Sequence, residues 1–298
     1  MKLMQNKKAL IFGITGQDGY YLKLKIESLQ GTVLGVSRKN ENYIIGDVAD
    51  PLVVNELVQK YRPDYIFHLA ANSTTNHDVL YENHHTISTG SLNILESVYR
   101  HSRKTKVFLS GSGLQFVNNE KPISEYDAFE ARDVYSVARI SSVYAARYYR
   151  RIGVQAYMGY FFNHDSPLRS ERHINQKIVQ TVKRIASGAK EIIELGDIDV
   201  RKEFTFAGDS VDAILNLVNN DQIFETVIGS GKAYAISDWL ELCFRHYKLN
   251  WKEYIRIKPG YIAEYKKLVS DPSTLFALGW KPRVDIESLA KMMLEYKQ

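Results

Sequence analysis

Cysteine is nearly absent from this sequence. Cys243 stands alone among 298 residues, so an internal disulfide is impossible and the fold rests on packing and hydrogen bonding. No apolar run approaches the roughly 20 residues needed to cross a bilayer as a helix, so no membrane association is expected. Long blocks of one charge are missing too. The net charge is +5, but Lys and Arg are scattered among Asp and Glu, a balance that suits an anionic small molecule. Without a recognisable nucleic-acid-binding motif, a nucleic-acid partner is not expected. Internal repeats, low-complexity tracts and linker-like stretches do not occur, and the length fits one large α/β domain or two closely packed lobes. The opening MKLMQNKKALIFG runs straight into an apolar strand-like segment with no signal-peptide cleavage pattern, so a soluble cytoplasmic protein is expected.

What is present is alternation. The runs KALIFGI, TVLGVS, DYIFHLAA, KVFLSG and VQAYMGYFF are separated by helical patterns around 20–60 and at 80–101 and 134–151. Several of these runs are apolar throughout, as strands covered on both faces must be. The order predicts an α/β fold with a doubly wound parallel sheet through about residue 160. Beyond it, helices are expected near 172–187, 208–219, 236–247 and 285–296, with short strands at 192–195, 224–228 and 254–257.

The segment ALIFGITGQDGYYLKLKIESLQG sets Gly13, Gly16 and Gly19 between a strand and a helix. Glycines allow a tight turn and let backbone N–H groups approach a pyrophosphate at the positive end of a helix. Gly13, Thr15, Gly16, Gln17, Asp18 and Gly19 are therefore read as cofactor-binding. An acid at the end of the second strand would bond the ribose 2′-hydroxyl of NAD. Ser37, Arg38 and Lys39 stand there instead, and Arg38 suits the 2′-phosphate of NADP, with NAD still possible. Asp47 and Val48 in GDVAD are placed at the adenine, and Ala70 and Ala71 at the end of the third long strand complete the set.

In DVYSVARISS, Tyr135 and Arg139 are four residues apart and share a helix face. A cation one turn from a phenol favours the phenolate, the form that accepts a proton. The same spacing also describes an ordinary helix pair.

The chain resembles the extended short-chain dehydrogenase/reductases that act on nucleotide sugars, and most closely the GDP-mannose 4,6-dehydratases and their reductase relatives. GITGQDGYYL, PDYIFHLAANS, FFNHDSPLRSERHINQKI, ELGDIDVRKEF and DPSTLFALGWKPRV carry the match along almost the whole chain. The resemblance implies a Rossmann-type sheet, a smaller C-terminal α/β substrate lobe, a nicotinamide cofactor and a GDP-sugar substrate. The dinucleotide-binding domain is expected over 1–162 with a return segment at about 204–229, and the sugar-binding lobe over about 163–203 and 230–298. By position, Tyr135 falls on the family's catalytic tyrosine, Arg139 on its lysine and Ser112 on its catalytic Ser/Thr. Leu114 falls on the dehydratase glutamate. A shift of one residue would bring Gly111 and Gly113 there instead, and the glutamate is missing in either register.

A 4,6-dehydratase oxidises C4, removes the C5 proton with a carboxylate, expels water from C6 and returns the hydride. The sequence keeps the parts for oxidation and lacks the carboxylate, so simple C4 redox is expected. The alternatives are a residual dehydratase using water, Glu120 or Glu125, and a silent binder of cofactor and sugar.

On the sugar-nucleotide side the resemblance points to Asn163, to Arg169, Glu171 and Lys177, and to Lys202 rather than its neighbour Arg201. It also points to Glu264, within Tyr261-Ile262-Ala263-Glu264 where the family has Arg-Pro-x-Glu. His68, His77, His84 and His85 form no metal constellation, and no metal is expected. The helices SLNILESVYR and SVYAARYYRR are candidates for the paired-helix face of a homodimer.

Overall fold

The computed structural model describes residues 4–297. Its first half alternates strand and helix: β1 (Lys8–Phe12), α1 (Gln17–Ser28), β2 (Thr32–Ser37), β3 (Ile44–Ile45), α2 (Pro51–Tyr61) and β4 (Tyr65–His68). A long helical stretch follows, made of α3 (Leu80–Asn83), a wide π-helical segment (His84–Thr89) and α4 (Gly90–His101). Then come β5 (Lys106–Ser112), α5 (Val134–Arg151) and β6 (Gln155–Phe161). The second half contains β7 (His164–Asp165), α6 (Ile174–Ala186), β8 (Ile193–Leu195), β9 (Arg201–Glu203), β10 (Thr205–Phe206), α7 (Ala207–Val218) and β11 (Glu225–Ile228). It ends with β12 (Ala233–Ala235), α8 (Ile236–His246), β13 (Ile255–Ile257), β14 (Lys267–Leu268), α9 (Ser273–Ala277) and α10 (Ile286–Glu295).

Seven strands form one sheet in the order β11-β6-β5-β4-β1-β2-β3, every pair parallel. Strand side chains alternate between its faces. Leu10 and Phe12 of β1 join Ile66, Val107 and Leu109 in a core covered by α2, α4 and α5. Ala9 and Ile11 join Phe67 and Phe108 under α1 and α7. The chain reverses direction of travel across the sheet between β1 and β4, the point where ligands bind in such folds.

The smaller lobe has its own core, in which Ile178 and Val182 of α6 meet Trp239 and Phe244 of α8 and Leu289 and Met293 of α10. The expected helices and strands of this half lie within a few residues of their observed positions. A three-stranded sheet, β12-β9-β14, was not foreseen from the sequence. Its strands are only two or three residues long, too short for alternation to register.

The π-helical segment was not expected either, and its carbonyls explain it. The Thr86 carbonyl bonds His68 Nε2 at 3.0 Å, and the Ile87 carbonyl accepts from Ser91 Oγ and Ser142 Oγ. Side chains from β4 and α5 thus occupy acceptors of the widened turn. Among the described residues no helix is long and apolar enough to cross a membrane.

Candidate active site

Two adjoining cavities, of about 370 and 340 Å³, open over the ends of β1, β4, β5 and β6 and share Leu69 and Ala71 in their walls. The larger is floored by the glycine turn. Gly13 has φ +90°, and a Cβ there would stand 2.6 Å from the Ala70 nitrogen, so the turn packs directly on the chain leaving β4. A Cβ on Gly19 would collide with the Gly13 carbonyl oxygen. Helix α1 begins without a side-chain cap, which leaves its first N–H groups for a ligand. A turn built this closely, ending in uncapped donors, fits a dinucleotide pyrophosphate.

Of the residues read as cofactor-binding, Gly13, Thr15, Gly16, Arg38, Asp47, Val48, Ala70 and Ala71 line this cavity. Gln17 does not. It is buried, its amide donates to the His164 carbonyl (3.3 Å) and accepts from Ser166 Oγ (2.9 Å), so it ties α1 to the segment after β6. Gly19 serves helix–turn packing, and Asp18 lines the other cavity.

That second cavity holds Tyr135, Arg139, Ser112 and Leu114 together. Asp133 caps α5 by accepting from the Tyr135 and Ser136 nitrogens, both at 2.8 Å, which fixes Tyr135 in the first turn. One turn on, Arg139 is 4% exposed. It donates to the Tyr135 hydroxyl oxygen at 3.1 Å, to Ser110 Oγ at 2.8 Å and to the Ser110 carbonyl. Ser112 Oγ accepts from the Leu114 nitrogen at 3.2 Å, leaving its own proton to be donated elsewhere. Leu114 packs with Ile87, Tyr135 and Ala138, an apolar wall beside the phenol.

Beneath them Asp18 and His164 form a pair. His164 Nε2 donates to the Asp18 carboxylate at 3.0 Å and Nδ1 donates to the Phe162 carbonyl at 2.9 Å. Both ring nitrogens face acceptors, so the imidazolium is favoured. Burial alone would discharge His164, but the Asp18 charge and hydrogen bond hold its pKa above the ordinary value. Burial likewise works to raise Asp18, and the charge and hydrogen bond of His164, with Arg169 and Arg139, bring it below the usual carboxylate range. His68 is pushed down to about 4 by burial and by Arg139, so the neutral ring donates from Nε2 to Thr86.

On the lobe side Asn163, Arg169, His173 and Glu264 line the same cavity. Asn163 Oδ1 and Arg139 Nε are buried without hydrogen-bond partners. Thr75 Oγ1 donates to Glu264 at 2.9 Å. Lys202 is buried and Arg201 exposed, but Lys202 lines neither cavity and packs over the Phe204 ring; burial, with Arg169 adding to it against Asp165, lowers it to about 8. Lys177 is exposed on α6 and lies outside both cavities, because its helix turns Asn175, Gln176, Ile178 and Val179 inward instead. Glu171 is likewise exposed and bonds Arg184.

Sequence reasoning missed His164, His173 and Ser110, and also Glu82, which lines the cavity of the glycine turn. Ser110 had a signal, since it lies two residues from Ser112 on one strand and shares its face. His164 had none, because its partner is 146 positions away. Among the described residues no group of three or more His, Cys, Asp or Glu is placed to hold a metal.

The sequence profile of GDP-mannose 4,6 dehydratase matches residues 25–293. GDP-mannose 4,6 dehydratase 2 of Arabidopsis thaliana is 30% identical over 97% of this chain and 86% of the relative. GDP-mannose 4,6 dehydratase 1 of the same plant is 29% identical over 97% and 89%. Among solved structures, RMD from Pseudomonas aeruginosa complexed with NADPH superposes with a TM-score of 0.84 at 20% identity, covering 97% of this chain and 96% of that one. UDP-glucose 4-epimerase of Thermotoga maritima with UDP-glucose gives 0.84 at 20%, covering 97% and 98%. At such identities the structures establish the fold, and the sequence match establishes the kinship: the chain belongs to the GDP-mannose 4,6 dehydratase family, within the extended short-chain dehydrogenase/reductases.

Proposed function

We propose that the protein is an NAD(P)-dependent oxidoreductase acting at C4 of a GDP-linked hexose or heptose, forming the 4-keto sugar or reducing it. The observation that carries this reading is Leu114, an apolar side chain packed against Tyr135 where elimination would need an acid/base group. The two other carboxylates weighed from the sequence do not reach the cavity. Glu125 is buried, accepting from Thr274 Oγ1 and the Val227 nitrogen, and Glu120 sits at an exposed turn with φ +62°. The carboxylates that do line the cavity are engaged, Asp18 by His164 and Glu264 by Thr75.

A nicotinamide dinucleotide held by its pyrophosphate at the glycine turn would supply or take up the hydride at C4. In oxidation Tyr135 removes the hydroxyl proton as the C4–H bond breaks, and in reduction it returns that proton to the forming alkoxide. Arg139, donating to the phenol oxygen, stabilises the phenolate. Ser112 donates its free proton to the sugar oxygen and holds it toward Tyr135. Asn163, Arg169 and His173, which line the cavity, orient the anionic half of the nucleotide sugar, the buried Lys202 adds positive charge behind them, and Glu264 bonds a hydroxyl of it. The exposed Val137, Tyr144 and Tyr148 on α5 and Leu92 on α4 make the homodimer face.

Incubation with GDP-mannose and each dinucleotide, read by mass spectrometry, tests the reaction. Loss of two hydrogens supports C4 oxidation. Loss of one water makes the protein a dehydratase like its named relatives, and an unchanged sugar with every cofactor, for GDP-mannose, a GDP-heptose and a GDP-4-keto sugar with NADH or NADPH alike, makes it a binder.

A further inference from the structure

The adenosine end of the glycine-floored cavity holds a carboxylate that the reaction does not use. Glu82 of α3 faces Arg38 at the end of β2, with Arg38 Nη2 3.5 Å from Glu82 Oε1. Asn72 Nδ2 donates to the other oxygen at 3.2 Å. The carboxylate is thus held from two sides, by a cation and by an amide from the loop after β4.

The charge balance follows from the lining. Arg38 and Lys39 contribute two positive charges to this end, and Glu82 and Asp47 two negative ones. A ribose 2′-phosphate carries close to two further negative charges, and it would have to displace Glu82 from Arg38 and then lie beside it. A ribose 2′-hydroxyl instead donates a hydrogen bond to a carboxylate, the contact that an acidic residue at the end of β2 ordinarily makes. Here the acid comes from a different element.

We infer that Glu82 is a cofactor-specificity residue that offsets Arg38, receives the adenosine ribose hydroxyl and selects NAD over NADP. Arg38 alone favours the phosphate, and Glu82 reverses that balance. The inference rests on the nicotinamide-dependent reading above and names which dinucleotide that site takes.

The test is binding, without turnover. Fluorescence titration of the full chain gives dissociation constants for NADH and NADPH in wild type, Glu82→Gln and Arg38→Met, with circular dichroism confirming the fold. Wild type binds NADH more tightly. In E82Q the ratio moves toward NADPH by roughly fivefold, the scale of a partly exposed charge pair. In R38M the NADPH affinity falls further. Displacement of NADH from wild type by ADP and by 2′,5′-ADP gives a readout that needs no variant, and ADP competes better. Tighter NADPH than NADH in wild type, or an unchanged ratio in E82Q, overturns the inference and leaves the redox reading standing. Binding of neither dinucleotide overturns both.

Discussion

The Arg139 guanidinium spans from the Tyr135 hydroxyl, 3.1 Å away, to Ser110 Oγ on β5, 2.8 Å away, with its carbon 4.9 Å from the centre of the tyrosine ring. A buried cation is therefore clamped to the sheet and aimed at the phenol oxygen. All three of its hydrogen bonds go to uncharged oxygens, so its field is not cancelled by an ion-pair partner at contact. A lysine at this position would have three donors on one nitrogen and could not hold strand and phenol apart as a planar fork does.

Tyr135→Phe is expected to remove C4 redox by about 10²–10⁴-fold while leaving the melting temperature close to wild type, since the side chain keeps its packing and loses only the hydroxyl. Arg139→Met is expected to cost both rate and stability, because the Ser110 carbonyl loses its partner inside the fold. Arg139→Lys should recover part of the rate. Single-turnover hydride transfer followed by nicotinamide absorbance measures each, and near-normal transfer in Y135F refutes the tyrosine's role.

Leu114→Glu places a carboxylate beside Tyr135, where the proposed reading puts the missing acid/base group for C5 deprotonation. A product that has lost water is expected where wild type gives none. The carboxylate enters an apolar wall of Ile87, Tyr135 and Ala138, so a stability cost of roughly 1–3 kcal/mol is expected as well. Mass analysis of the sugar and a denaturant titration report the two effects separately. An L114E protein that folds, binds GDP-mannose and still yields only the keto sugar shows that this position does not choose between redox and elimination.

Sequence legibility tracked the range of each interaction. The glycine turn, the Tyr135–Arg139 helix pair and the strand runs are local patterns with their own periods, and all are where the sequence placed them. Pairings across long separations were invisible. Nothing in GQDG or FFNHDSP announces that Asp18 and His164 meet, or that Glu82 reaches Arg38. Lys177 is a related case, since its helix phase, which the matched segment alone does not carry, turns it outward. The register of Lys202 against Arg201 was open until β9 paired with β12 and β14 and turned Lys202 inward.

The Asp18–His164 pair gives stability a pH dependence with a definite sign. His164 has a folded pKa above its ordinary 6.5, so its contribution is full below about 6.5 and is lost as pH rises through the folded value. Asp18, lowered, contributes above about 3.8 and loses its share as pH falls through its folded value. Wild type is expected to exceed His164→Gln by roughly 1–3 kcal/mol near pH 6, the size of a charge-assisted hydrogen bond, with the gap closing toward alkaline pH. Urea titrations of both proteins across this range check it, and a gap that is constant with pH contradicts the pairing.

Lys202 carries the opposite linkage. Burial brings its pKa to about 8 from an ordinary 10.5, so the folded protein binds fewer protons there than the unfolded chain, and stability rises with pH across that window. A diphosphate bound near Lys202 would restore its charge, so GDP binding near pH 8 is expected to take up roughly half a proton. Titration calorimetry in buffers of different ionisation enthalpy measures the uptake. Lys202→Met is expected to abolish it and weaken GDP binding, while the fold becomes as stable as wild type or more so, because a buried cation is gone. If K202M gains stability and binds GDP with unchanged affinity and unchanged proton uptake, then Lys202 is only a buried cation packed on Phe204, and the diphosphate must be held by other residues.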